Sequence, residues 1–508
     1  MRVRTLFLPV ILALGLLAGM SVLLPVYADP GTLFVKPAST GTACTQATPC
    51  ALQAALSQAT DGDTLYLAQG TYTGTGAAVI ALTQSITLYG GWDGAPIGPV
   101  VRDPALYLTI LDGEGARRVI SITGDVTPTI EGFIITRGNG TGLLAGCPAT
   151  GGKPDGCGGG IFSYGAHPII VNNVTTNNVA AITTQGYPTG TTGYGGGIYL
   201  YNADRAVISG NVVISNVAST VNAGMGGGIC LYGSGTGLVV QANQVLSNAA
   251  SLANVAGWGG GIAGGPDGAL IQGNRVEGNR DNAKGSGYGA GIYQWYGSAT
   301  YRDNLVRGNI GAHAVYLGYS NSRFEDNRIL DNQTGTGLKL NDSSGPGAVL
   351  VNNVVARSGS KTVEADGYVA YPLRAALLHN TLVGSGSGAG IYVDGYVTLA
   401  LTNTIVAGHT WGITATFPAS ATISADHTLF WANTGTAITG TNPVFGDPRF
   451  LPDGYHLGPG SAAVDAGIDA GVTTDMDGDP RPIGSGYDIG ADEAHFLTIY
   501  LPLVVRNF

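Results

Sequence analysis

Positive charge is scarce in this sequence. Lys and Arg number 23 against 33 Asp and Glu, a formal net charge of −10. A protein that neutralises phosphates needs clustered cations, so nucleic acid and anionic membrane surfaces are excluded as partners. Charged residues of both signs together reach only 11% of the 508 positions. Five cysteines are too few for a disulfide-built scaffold. No Gly-X-Y period exists, so the 83 glycines are not collagenous. The one long apolar run, Leu6 to Val26, follows the basic start Met1-Arg2-Val3-Arg4 and ends in Val26-Tyr27-Ala28. That is the pattern of a secretory leader cleaved after Ala28, and it sets the expectation of an extracellular or cell-surface protein.

What is abundant is Gly, Val, Ile, Thr and Asn, a composition that makes poor helices and good strands and turns. It is organised as two alternating units. The first is apolar-x-x-Asn-x-apolar-x-x-Asn, as in Ile208, Asn211, Val213, Asn216 and again in Val240, Asn243, Val245, Asn248. It recurs with Asn274 and Asn279, Asn304 and Asn309, and Asn327 and Asn332. Asn173 and Asn178 open the series, and fainter copies follow near Asn353, Asn380 and Asn403, with His427 in the Asn place. The second unit is a glycine run before a short strand, as in Gly195-Gly196-Gly197-Ile198 and Gly226-Gly227-Gly228-Ile229.

A period of this length with strands of four to six residues marks a solenoid, in which stacked coils pair every backbone group with the coil above and below. The expected fold is all-β, a single-stranded right-handed parallel β-helix. Asn is expected to occupy left-handed bends and to bond the same amide one coil away, and glycine to turn the tight corners. The helical run Pro49 to Ala59, followed by the strand Thr64 to Leu67, reads as an N-terminal capping helix over the first coil.

The opening resembles secreted bacterial proteins of the pectin-lyase-like, right-handed β-helix superfamily. The stretches that carry this are Pro49–Gly74, Ser85–Gly94, Thr109–Gly115 and Ile130–Gly140. The close, Phe445–Gly467 with Asp477–Pro482 and Tyr487–Glu493, resembles the choice-of-anchor Q type within that group. The glycine and Asn alternation is also similar to the repeats of polymorphic outer-membrane and adhesin proteins. The leader pattern, the repeats and the two ends divide the chain into an expected leader (1–28), cap and first coils (29–130), central helix (131–440), last coils and cap (441–493) and an apolar tail (494–508). The resemblance implies lyases, hydrolases, adhesins and proteins without activity alike, so function has to come from the residues.

Polygalacturonase-like hydrolases carry Asn-x-Asp, Asp-Asp, Gly-His-Gly and Arg-x-Lys in order. That ordered set is not found, and Gly408-His409-Thr410 is its nearest approach. Aligning the Asn column stacks Glu277 on Arg307 and Arg302 on Glu325 as ion-pair candidates, and Asp303 on Asp326 as like charges. If the chain is an enzyme, Asp303, Asp326 and Arg302 are the expected catalytic group. Asp303 and Asp326, or Asp475, Asp477 and Asp479 at alternate positions, are candidate Ca²⁺ ligands; no other cofactor is expected. Cys44 with Cys50 and Cys147 with Cys157 are the expected disulfides, leaving Cys230 as an inert structural thiol.

The strands after the glycine runs carry Tyr199, Tyr201, Tyr232, Tyr293, Trp295 and Tyr316 at outward positions, with long loops (180–194, 219–225, 251–258) entering beside them. Flat aromatic rings suit sugar faces. The expectation is therefore a secreted or cell-surface monomer, non-catalytic, that binds a polysaccharide or surface glycan through this face. Membrane contact is expected only through the leader or the tail. The alternative is a polysaccharide lyase or glycoside hydrolase.

Overall fold

The computed structural model describes residues 31–148, 153–182, 191–342, 345–435 and 438–495. The expected leader and nearly all of the tail lie outside them. The chain is a right-handed parallel β-helix with three long sheets. Sheet A has 14 strands, from Thr32–Val35 to Thr422–Asp426. Sheet B has 14, from Gly70–Tyr72 to Val444–Phe445, and sheet C has 12, from Ala78–Leu82 to Trp411–Ala415. One coil passes through all three, as in Val207–Ser209, Val212–Ile214 and Ile229–Tyr232. Inward residues stack in columns such as Ile170, Ile208, Val240, Ile271, Tyr301 and Phe324, all buried. The single α-helix among the described residues, Leu52–Gln58, places Leu52 and Ala55 in the core at the first coil. None of these is a helix long and apolar enough to cross a membrane.

The Asn columns form two buried ladders. Asn211 Oδ1 accepts from the Asn173 backbone N–H at 2.9 Å and from its Nδ2 at 3.1 Å, and Asn243 does the same for Asn211. The second ladder repeats this from Asn178 through Asn216, Asn248, Asn279 and Asn309 to Asn332. These residues are not the left-handed ones, however. The residue before each ladder Asn turns the bend, with φ +54° at Asn172, +57° at Ser215 and +53° at Ala242. The ladder Asn instead bridges coils from inside the bend, where a buried polar side chain must be fully bonded. For the same reason Asn403 and His427 are not ladder members. Both have positive φ, and Thr404 and Thr428 stand in register with Asn380.

Glycine runs do turn corners. Gly195 has φ +64°, and a Cβ on Gly196 would lie 2.4 Å from the Val217 carbonyl, so only glycine lets that backbone approach. The loops beside the runs are ordered into a further four-stranded parallel ladder of Lys153–Cys157, Thr191–Tyr194, Ala223–Met225 and Gly257–Trp258.

After the last sheet B strand the chain doubles back. Leu457, Ala463 and Ile489 cover the outward side chains of Ile405, Ala407 and Leu429, and Met476 and Ala491 cover Leu330, Val354 and Ala356. This strap is tied down by Thr381 Oγ1 accepting from the Ala491 N–H and by Asn352 Nδ2 donating to the Thr474 carbonyl. Its centre is a fully buried Arg481–Glu493 pair at 2.7 Å, with the guanidinium also donating to the Gly490 and Ala491 carbonyls.

Candidate functional site

Both disulfides form, Cys44–Cys50 and Cys147–Cys157, with Cα separations of 4.4 and 6.0 Å. The second one anchors a loop over the outer face of sheet C, and this changes the fate of the aromatic column. Tyr199 is completely buried in a cluster with Cys157, Phe162, Tyr194 and Cys230, and its hydroxyl reaches the Gly146 carbonyl. Tyr201 and Tyr232 are half-buried, stacked at 5.8 Å. The described parts of the adjoining loops therefore pack down onto this half of the face instead of rimming it, while residues 183–190 of the first loop lie outside the described residues. Cys230 is fully buried and desolvation pushes its thiol up, which suits an inert core residue.

Beyond residue 290 the covering ladder ends and the strands lengthen, to Ile310–Ser320 and Gln333–Asn341. Register then aligns two outward rows across coils. One reads Tyr293, Tyr316, Lys339, Glu364, Tyr392, and the next reads Trp295, Gly318, Asn341, Asp366, Asp394. Tyr293 and Tyr316 are buried at 7% and 4% exposure, but Trp295 is 38% exposed. Its indole lies over Gly318, where a Cβ would sit 2.6 Å from the ring. Around it gather rings from the following bends. Tyr319 meets Trp295 edge-on at 4.7 Å, Tyr296 stacks on Tyr319 at 5.1 Å, and Tyr371 meets Tyr319 edge-on at 5.3 Å. Tyr368 and Tyr371 flank a two-residue turn, each hydrogen-bonded to the other's backbone, and are 59% and 51% exposed. These edge-on and offset contacts are favourable ring geometries that stiffen the platform.

Charge adjoins the platform. Lys339 Nζ lies 3.0 Å from Glu364 Oε1 and 3.1 Å from Asp366 Oδ2, with its side chain only 8% exposed. Lys361 Nζ donates to Glu364 Oε1 at 2.9 Å and sits over the Tyr392 ring at 3.9 Å. Burial alone would raise the Glu364 carboxyl, but Lys361, Lys339 and Thr336 outweigh it and bring it down to about 2. Asp342 accepts from Asn341 Nδ2 at 2.6 Å and from the Tyr368 N–H, and burial raises its carboxyl. Asp394 makes no ion pair among the described residues.

The other expected sites resolve differently. Asp303 and Asp326 do stack on adjacent coils, at left-handed bends, and Asn352 Nδ2 donates to Asp326 Oδ1 at 3.1 Å. Burial first, with Asp303 adding to it, pushes Asp326 up to about 6. Arg302 bonds Glu325 at 2.9 Å, as the coil alignment anticipates. Glu277 pairs with Arg275 on its own strand at 2.7 Å, not with Arg307, which turns to Asp331 at 3.4 Å.

Asp475, Asp477 and Asp479 do not converge. Asp475 Oδ1 accepts from the Asp477 and Asp479 N–H groups and its Oδ2 from the Glu493 N–H. Asp477 points to His456 Nε2 at 2.8 Å, and His456, Asp477 and Asp492 bring three ligand-type atoms within 4.8 Å of one another. His409 is a buried core histidine bonded to Thr362 Oγ1 at 2.8 Å.

Sequence reasoning reached Trp295 but missed Lys339, Glu364, Asp366, Asp394 and the Tyr319, Tyr368 and Tyr371 rings. A signal did exist. Leu338-Lys339-Leu340-Asn341, Val363-Glu364-Ala365-Asp366 and Ile391-Tyr392-Val393-Asp394 share one alternation, and stacking them exposes the polar rows.

A family model described as the right handed beta helix region matches residues 219–372 and 254–408. No curated protein sequence is similar enough to match. Among solved structures, the pectate lyase Pel9A is 14% identical, covering 92% of this chain and 97% of its own, with a TM-score of 0.34. An alginate lyase from Paenibacillus sp. is 13% identical over 78% of this chain and 99% of its own, TM-score 0.29. The A-module of the Azotobacter vinelandii mannuronan C-5 epimerase AlgE4 is 12% identical over 77% and 89%, TM-score 0.31.

Proposed function

We propose that the open half of the sheet C face binds a glycan and that the protein is a secreted or cell-surface glycan-binding β-helix. The observation that supports this most is the platform in which the exposed rings of Trp295, Tyr296 and Tyr371 each contact the half-buried Tyr319, with the exposed Tyr368 held by backbone hydrogen bonds to Tyr371, beside a row of hydrogen-bonding carboxylates. Rings bury the apolar C–H faces of sugars, and carboxylates accept from sugar hydroxyls. Two disulfides suit an oxidising compartment. The test is affinity electrophoresis and calorimetry on a polysaccharide panel, with Trp295→Ala and Tyr371→Ala. Each lost ring should weaken binding about fivefold, since a stacked ring contributes about 1 kcal/mol. Unchanged binding in both variants would refute the assignment of the site.

A second reading is catalytic. Asp342, whose carboxyl is raised by burial, lies close enough to Asp366 to feel its charge, and hydrolases use two carboxylates set near one another. Release of reducing ends or unsaturated uronates, with and without Ca²⁺ and abolished by Asp342→Asn, would establish it.

A further inference from the structure

The charges around the platform carry the glycan reading further, to the class of sugar, and the inference rests on that reading. Four carboxylates (Asp342, Glu364, Asp366, Asp394) stand on this face against two ammonium groups (Lys339, Lys361), a formal balance of −2. The imbalance is also uneven. Glu364 takes both lysines, at 3.0 and 2.9 Å, and Lys361 is further capped by the Tyr392 ring. Asp366 shares Lys339, Asp394 has no ion pair among the described residues, and Asp342 is bonded only by neutral donors among its hydrogen bonds. The negative excess therefore lies at the Asp342, Asp366 and Asp394 end, which is the end that meets Tyr319, Tyr368 and Tyr371. The Tyr368 phenol registers that field, pushed up by Asp366 first, then by burial and by Asp342.

A uronate brought here would meet like charge, and both lysines that could receive its carboxylate are already committed. An ammonium would meet the opposite. It gains from the carboxylates and from the ring faces, because aromatic quadrupoles attract cations. We propose that this face selects glycans bearing protonated amino groups, and discriminates against glycans bearing uronates.

The test uses the mature protein and three length-matched soluble oligosaccharides: a β-1,4-linked glucosamine hexamer, its fully N-acetylated counterpart, and a galacturonate hexamer. Calorimetry is run at mildly acidic pH, at low and at high salt. The glucosamine hexamer should bind at least about tenfold tighter than the N-acetylated one and weaken as salt rises, while the galacturonate hexamer should not bind. Asp394→Asn, which breaks no ion pair, should erase most of the preference, and Asp366→Asn should act in the same direction. Since the whole chain is acidic, Tyr371→Ala separates the site from diffuse attraction and should weaken the glucosamine hexamer as well. Equal binding of amino and N-acetylated forms, tight galacturonate binding, or a preference that survives Asp394→Asn would overturn the selectivity and leave the glycan site standing. No binding by any of the three would overturn the glycan reading itself.

Discussion

Asn274→Ala should cost far more than a single buried amide ordinarily does. In the ladder Asn274 Oδ1 accepts from Asn243 N–H and Nδ2, both at 3.0 Å, while its Nδ2 donates to the Val240 carbonyl at 2.9 Å and to Asn304 Oδ1 at 3.0 Å. Four hydrogen bonds at about 1 kcal/mol net give roughly 4 kcal/mol. The Asn243 N–H is then left buried without an acceptor, which adds about 1–3 kcal/mol. The loss is expected near 5 kcal/mol, concentrated in the coils from Asn243 to Asn304, because a solenoid coil packs only on its neighbours. The internal control is Gln272→Ala on the same coil. Gln272 Nε2 makes one outward amide bond, to Gln241 at 2.9 Å, so its loss should stay within about 1 kcal/mol. Urea unfolding followed by circular dichroism reads both, and Asn274→Ala should in addition split one transition into two. A cost for Asn274→Ala within about 1 kcal/mol of the control would show that the inner ladder is not what ties the coils.

Other outcomes follow from particular groups. Hydrogen bonding to Asp477, against partial burial, raises His456 to about 9, so its contribution is complete below about pH 6.5 and lost as pH rises through 9. Burial raises Asp488 to about 7 and Asp492 to about 6, so these too stabilise the fold at low pH and lose that as pH rises toward neutrality. Hydrogen exchange across residues 441–495 should therefore quicken from pH 6 to 9, and His456→Gln should flatten the alkaline part. Gly318→Ala should push Trp295 off its floor, shifting its fluorescence and weakening glycan binding, whereas Gly308→Ala, where a Cβ meets nothing within 4 Å, should leave both unchanged. Cys230 should resist thiol reagents in the folded protein and react once it is denatured.

The architecture was legible because its determinants are local and recur. An Asn and a glycine run in each coil fix the corners, and the intervening Ile and Val supply the core. The finer assignment of the left-handed position failed although a signal existed, since Gly210, Gly273, Gly278 and Gly308 stand at that position on their coils, but Asn172, Ser215 and Ala242 stand there on others and blur the column. The fate of Tyr199 was hidden for another reason. Period-2 alternation distinguishes inward from outward, but not outward and solvated from outward and covered, and the cover came from a loop tied by Cys147–Cys157. Tyr319 and Tyr296 were invisible because they sit at left-handed bends, φ +46° and +66°, where no alternation runs. Lys339 and Asp366 lay on coils without the glycine run, so an alignment anchored on it stopped short of them. The strap's buried Arg481–Glu493 pair could not be read from spacing at all, since the contacts that fix it run to coils more than a hundred residues earlier.

The returning strap gives the molecule a mechanical asymmetry. Hydrogen bonds between coils run along the helix axis, so a pull on an unprotected end would open the coils one at a time, like a zipper under a small force. Toward the C-terminus that route is blocked. The chain reaches back from the coil of Val444 to that of Leu330, five coils apart and about 24 Å at the usual strand spacing. A load entering beyond Glu493 must first slide this segment lengthwise across sheet B, breaking its contacts together in shear before any coil can peel. A tether at that end would bear tension through the strap before it reached any coil.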